Sequence, residues 1–147
     1  MAEHKRKTVF VQGAVSAQFV ADSIARHSSK TDIGAHSIFL GQVRRDEKDG
    51  KFVQAIDYTA HEEMANEQFH RIREDAFEKY PLTCMHIHHS LGAVAAGEIS
   101  LFVFTSSPHR RAAIDACNEI VERIKNEVPV WGKEVLEDGE YVWKTNL

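Results

Sequence analysis

Three short stretches of the chain carry the side chains best suited to bind or transform a small anionic molecule. The first is Thr105-Ser106-Ser107-Pro108-His109-Arg110-Arg111. An apolar run ends there, a proline suits the first turn of a following helix, and a histidine and two arginines come at once. Cations at a helix N-terminus oppose the helix dipole, which favours negative charge at that end. The pattern makes sense if an anion binds, because free N–H groups, the dipole and a guanidinium fork would then act on one phosphate or carboxylate. A solvated helix start with scattered charges is the plain alternative.

The second stretch is Lys125-Asn126-Glu127-Val128-Pro129-Val130-Trp131-Gly132-Lys133-Glu134. Lys125 falls in the last turn of a predicted helix, where a cation is already stabilised by the dipole without any further role. Lys133 could pair with Glu134 or with solvent, and Trp131 suits either a core or the wall of a heterocycle pocket. The third stretch, Gly41-Gln42-Val43-Arg44-Arg45, ends a strand. Arg44 and Arg45 would point to opposite faces there, so at most one of them faces a given site. His86 and His88, in Met85-His86-Ile87-His88-His89, share one strand face at a spacing that can chelate a metal. No third ligand lies near them in sequence, and neither HExxH nor CxxC occurs, so a solvent-facing strand is the better reading and no metal site is assigned.

These segments need a frame to hold them. With 147 residues the chain suits one domain spanning 1–147 and can bury a core of its own. Its 43% hydrophobic and 27% charged residues are those of a globular protein. A formal net charge of −4 argues against a general nucleic-acid binder, so any anion site is a local basic cluster. Cys84 and Cys117 fall on apolar patterns and read as reduced core thiols rather than a disulfide. The stretch Met1-Ala2-Glu3-His4-Lys5-Arg6-Lys7 leads into only a short apolar run, which is unlike a signal peptide. No apolar stretch approaches the roughly 20 residues that span a bilayer. A cytoplasmic protein is expected.

Along the chain, Thr8 to Gln12 reads as a strand and Ser16 caps a helix to about Arg26. Strands follow over Gly34 to Arg44 and Phe52 to Ala60, separated by a charged, exposed loop over Arg45 to Lys51. His61 to Tyr80 has helical spacing, with Met64, Phe69, Ile72, Ala76 and Phe77 near one stripe. Cys84 to Leu91 and Glu98 to Ser106 are strands turning at Gly92 and Gly97. A last helix starts around Pro108, capped by Ser106 or Ser107. It carries Ala113, Cys117, Ile120, Val121, Ile124 and Val128 on one face. Pro129 ends it, and Tyr141-Val142-Trp143 forms a short final strand. The order β-α-β-β-α-β-β-α-β predicts an α+β two-layer domain, with a mostly antiparallel sheet and helices packed mainly on one face.

Taken together, four blocks resemble the large, catalytic subunit of the molybdopterin synthase (MoaE-like) family. They are Gly34-Ala35 to Arg44; His89-Ser90-Leu91-Gly92 with Gly97-Glu98; Ser106 to Arg110; and Lys125 with Pro129-Val130-Trp131 and Lys133-Glu134. The resemblance runs from about Gly34 to Trp143, and the first thirty residues add little. It implies an α/β hammerhead-like fold and a sulfurtransferase of molybdenum cofactor biosynthesis. The implied substrate is cyclic pyranopterin monophosphate, which becomes the dithiolene of molybdopterin. The implied sulfur donor is a small ubiquitin-like carrier subunit whose C-terminal Gly-Gly tail ends in a thiocarboxylate. The implied assembly is a homodimer within a heterotetramer, with no cofactor and no metal. By resemblance Lys125 is the catalytic lysine, and Arg44, His109, Arg110 and Trp131 are the substrate-binding residues. The family commonly places a second functional lysine directly after the tryptophan. This chain has Gly132 there and its lysine one residue on, so either Lys133 substitutes, re-aimed by the flexible glycine, or one lysine suffices.

His109 and Lys125 are 125 − 109 = 16 positions apart on one predicted helix. At about 1.5 Å per residue they stand roughly 24 Å apart and cannot both touch one small substrate. A composite site across a homodimer interface is therefore expected. The rival readings are a non-catalytic homodimeric module that binds a phosphorylated pterin-like ligand, and a metal-dependent hydrolase built on His86 and His88.

Overall fold

Period-two patterning and two-sided burial generate the sheet. A computed structural model describes residues 8–144 of the chain. Its elements are β1 (Phe10–Gln12), α1 (Ala17–Arg26), β2 (Ala35–Gln42), β3 (Glu47–Lys48), β4 (Lys51–Ala60), α2 (Glu62–Lys79), β5 (Cys84–Ala95), β6 (Ile99–Ser107), α3 (Arg110–Glu127), β7 (Val130–Leu136) and β8 (Tyr141–Trp143). The strands run in the order β2-β6-β5-β4-β7-β8, each antiparallel to its neighbours. β1 adds a parallel pairing to β5, and β3 forms a hairpin with β4. The segment expected as a charged loop over Arg45 to Lys51 is thus partly a hairpin. Asp49 and Gly50 both take positive φ at its tip (52° and 78°), the backbone that a two-residue hairpin turn requires.

Strand β6 shows why the helices take their places. Leu101 and Val103 join the cluster formed with Phe69 and Ile72 of α2 and Ile120 and Ile124 of α3. Phe102 and Phe104 belong to a second cluster with Val15 and Val20. Alternation along one strand therefore serves both faces, α2 and α3 covering one and α1 the other. Each fully buried phenylalanine contributes on the order of 2–3 kcal/mol through removal from water. Met64, expected on the buried stripe of α2, is 58% exposed, and Ala65 takes the buried position instead. The smaller side chain lets the helix sit closer to its neighbours.

Caps set the helix ends. Ser16 Oγ accepts from the Phe19 N–H at 3.0 Å, as its type and position predicted. The start of α3 differs from expectation. Neither Ser106 nor Ser107 is its cap; that position belongs to His109, whose side chain makes no capping bond. Ser106 and Ser107 complete β6, and the Ser107 hydroxyl donates to the His109 carbonyl. Cys84 and Cys117 are both free and buried.

Candidate active site

The last turn of α3 and the middle of β7 frame a cavity of about 350 Å³. Tyr58, His89, Ser100, Lys125 and Lys144 supply its polar wall, with Trp131, Gly132 and Trp143 beside them. Tyr58 reaches it from β4, where it stands opposite Gly92 on one neighbouring strand and Gly132 on the other. With no side chain on either flank, the tyrosine ring has room to lean, and its hydroxyl donates to Ser100 Oγ at 3.1 Å. Burial pushes the Tyr58 phenol up, only partly offset by the bond to Ser100.

His89 comes from β5 and is buried. Its ring meets Tyr58 edge-on at 5.2 Å and Phe10 at 5.9 Å. Nδ1 lies 2.8 Å from the Ser90 carbonyl oxygen, so this nitrogen is the donor and Nε2 holds the lone pair of the neutral ring. Desolvation lowers its pKa to about 4, with the nearby Lys125 and Lys144 acting in the same direction against the Ser90 bond. It is a neutral imidazole at physiological pH.

Lys125 is the basic residue in the last turn of α3. Burial lowers its pKa to about 8; Lys144 and Arg44 add to the effect, and Glu122 opposes it. A lysine this close to neutrality can give and take a proton, or place a charge where an oxyanion develops. Arg44 follows β2, is exposed and pairs with Asp46 at 3.4 Å, yet its charge is felt at Lys125. Trp131 stands at the rim, 52% exposed. Lys133 does not line the cavity. It pairs across strands with Asp57 and Trp143, and its ammonium sits 4.4 Å from the Tyr141 ring centroid. The one-residue shift turns it to the other face of β7 from Gly132.

The opposite end of α3 carries a separate, open depression lined by Gly34, Pro108, His109, Arg110 and Arg111. No acidic residue occupies that first turn. Gly34 donates to the Ser107 carbonyl at 3.0 Å, and a Cβ at this glycine would run into the Pro108 carbonyl oxygen. The close approach fixes the loop from which His109 and Arg110 extend. The 18 residues of α3 hold this depression and the Lys125 cavity at opposite ends of one rod. Within one chain, the expected substrate-binding pair and the expected catalytic lysine are not brought together.

Tyr58, His89, Ser100 and Lys144 were not singled out in sequence as site residues. His89 lies in a block that carries the family resemblance, which is a usable signal. Tyr58 and Ser100 give none, because only strand pairing makes them neighbours.

His86 and His88 of β5 turn away from this cavity. His86 and His88 face α1 and are half-buried rather than solvent-facing. His86 Nε2 lies 3.0 Å from His27 Nε2. His27, Cys84 and His86 bring their ligand atoms within 4.8 Å of one another, a geometry that could hold a soft cation. His88 is not in that group. Lys30 Nζ already contacts Cys84 Sγ at 2.9 Å, and Arg73 and Lys30 add positive charge at His86, which opposes a dication.

Residues 14–127 match the family model described as MoaE protein. The chain is 40% identical over 122 residues to a molybdopterin synthase catalytic subunit of Pyrococcus abyssi, spanning 83% of this chain and 81% of that one. It is 40% identical over 116 residues to molybdopterin synthase catalytic subunit 1 of Aedes aegypti, spanning 77% and 74%. Among solved structures, a molybdopterin synthase from Staphylococcus aureus aligns with a TM-score of 0.82 at 30% identity, over 97% of this chain and 99% of that one. A complex of subunits 1 and 2 of the molybdopterin-converting factor from Helicobacter pylori aligns at 0.78 and 20% identity, over 92% and 88%, a likeness of fold.

Proposed function

The chain belongs to the MoaE protein family, and from that membership we propose that it is the catalytic subunit of a molybdopterin synthase. It transfers sulfur from a thiocarboxylated small subunit to cyclic pyranopterin monophosphate, forming the dithiolene of molybdopterin. The observation that carries this reading is Lys125, a lysine titrating near 8 in the wall of a cavity large enough for a peptide tail to meet a pterin side chain. It acts in the cytoplasm; no described helix is long and apolar enough to cross a membrane.

The chemistry divides between the two ends of α3. Arg110 and His109 hold the substrate phosphate by charge-assisted hydrogen bonds at the helix N-terminus. Lys125 stands where the thiocarboxylate sulfur attacks a side-chain carbon of the pterin; the carbon–oxygen bond at that carbon breaks, its oxygen departing protonated or on the phosphate, and Arg44 adds positive charge that favours two anionic reactants. For sulfur to stay on the pterin, the acyl–sulfur bond must then be cleaved by water. Charge develops on the acyl oxygen in that step, and a cation there stabilises it. Neutral His89 and the Tyr58 hydroxyl are within the same cavity to hold water. Because the two ends lie roughly 24 Å apart along a straight helix, the two halves of one site come from two copies of this chain in a homodimer. A small subunit serves each site, which makes a heterotetramer.

The deciding experiment mixes the protein with cyclic pyranopterin monophosphate and a thiocarboxylated small subunit and assays the dithiolene pterin. Product is expected. Precursor and partner both bound, with no product, would move the reading to a non-catalytic binding module.

A substitution far from Lys125 tests the phosphate end. Gly34→Ala drives a methyl into the Pro108 carbonyl and displaces the His109–Arg110 loop. KM for the precursor is expected to rise by about tenfold or more, since a displacement of ~1 Å in a positioning group can cost up to a hundredfold. Unchanged KM in a folded Gly34→Ala protein would show that this loop does not hold the substrate.

A further inference from the structure

Gly132 invites a physical explanation. Its backbone is ordinary extended strand, outside the positive-φ glycines of this chain, so no unusual conformation demands glycine there. Space does. A Cβ at position 132 would lie 3.0 Å from Ile56 Cγ2 and 3.4 Å from both Cβ and Cδ of Lys144. The Lys144 stem therefore lies flat across the bare Cα of Gly132. Its backbone is held there by a bond from the Lys144 N–H to the Gly132 carbonyl at 2.8 Å. Both residues line the cavity that contains Lys125.

We propose that Lys144 is a second working lysine of this cavity, a positioning residue that presents its ammonium to Lys125 across the space Gly132 leaves open. The inference rests on the synthase reading above for its chemical meaning, though not for its geometry. Two ammonium groups that line one cavity repel each other, and the repulsion weakens proton binding at Lys125, which burial already disfavours. Lys125 is the amine whose proton binding burial weakens, and Lys144 acts on it in the same direction. Other described groups also act on Lys125. Arg44, beyond β2, adds a weaker positive effect; Glu122, one turn earlier on α3, opposes it; His89 of β5 is neutral. Tyr58 of β4 stays protonated, because burial raises its phenol. Among these charges Lys144 acts on Lys125 most strongly. A lysine absent from the β7 position beside Trp131 is supplied from beyond β8, and Lys133 has no part in it.

The test uses the complete enzyme with its thiocarboxylated partner, comparing wild type with Lys144→Met, Lys144→Arg and Gly132→Val. Two readouts are taken: the pH profile of kcat, and the titration of the Lys125 side chain followed by NMR on lysine-labelled protein without turnover. Removing the positive neighbour strengthens proton binding at Lys125. In Lys144→Met the midpoint is expected to move up by about one pH unit, and the alkaline limb of the kcat profile to move up with it. KM for the partner should change little. Gly132→Val, which displaces the Lys144 stem while leaving every charge in the chain, should move the midpoint in the same direction. Lys144→Arg should restore most of the wild-type profile. A Lys125 titration that is superimposable in wild type and Lys144→Met overturns the proposal, as does a loss of rate equal at every pH. Because the NMR titration needs no product, an inactive wild type would defeat the synthase reading while still deciding this one.

Discussion

Lys125→Met removes sulfur transfer and leaves the dimer folded. The expected loss in kcat is about a hundredfold to a thousandfold, the range seen when a single preorganised group stabilising transition-state charge is deleted. Stability should not fall with it. The folded pKa of Lys125, about 8, lies below its ordinary value of 10.5, so the folded state binds that proton less tightly than the unfolded chain. The buried charge therefore lowers stability at neutral pH. The penalty is complete below pH 8 and fades as pH rises toward 10.5. Lys125→Met takes it away, and thermal melts at pH 7 should give a Tm equal to or above that of wild type. A Tm equal to or above wild type with near-normal turnover would take Lys125 out of the mechanism; a collapse in Tm would mean that its ammonium is structural.

Mixing two inactive variants should restore activity. Lys125→Met damages one end of α3 and Arg110→Ala the other. In a homodimer whose sites each take one end from each chain, a mixed dimer holds one site with both lesions and one site with none. Random assortment makes half of the dimers mixed and restores half of their sites. About one quarter of wild-type activity is expected from an equal co-refolded mixture, against nearly none from either variant alone. Product formation is the readout, and mass spectrometry of the intact dimer reports the mixing. Absence of rescue in a verified mixed population would place both ends of a site in one chain and overturn the composite arrangement.

Much of the architecture could be read from side-chain periodicity. The apolar offsets on α3 were legible because that helix buries a full stripe against a sheet. The Ser16 cap and the stop at Pro129 follow from local backbone chemistry. Met64 was misplaced because helical spacing defines a stripe only to within a residue, and packing distance then favoured Ala65. The Ser106 and Ser107 cap failed because β6 runs on to pair Ser106 with Cys84 and Ser107 with Ala35, pairings between distant segments that no local pattern announces. The site divides in the same way. The His109–Arg110 pair reads as anion-binding helix-end chemistry, whereas Lys125 has an ordinary place in the helix dipole and takes its role from the family resemblance alone. Lys133 came from the family resemblance, one residue beyond the expected position, and the lysine that lines the cavity with Lys125 is Lys144, delivered by a turn and a strand pairing. Period two turns Lys133 to the other face, and the sequence left open whether Gly132 would re-aim it; nothing local predicted what would take the empty position.

α3 has one more consequence. A helix of fixed rise acts as a ruler, and in the composite site proposed above it holds the two halves too far apart for any single chain to use both. In an assembly of that kind a lone protomer owns every working group and is still inert. Specific activity then becomes a property of concentration as well as of sequence. Below the dissociation constant of the dimer it falls with dilution by mass action, although no residue has changed.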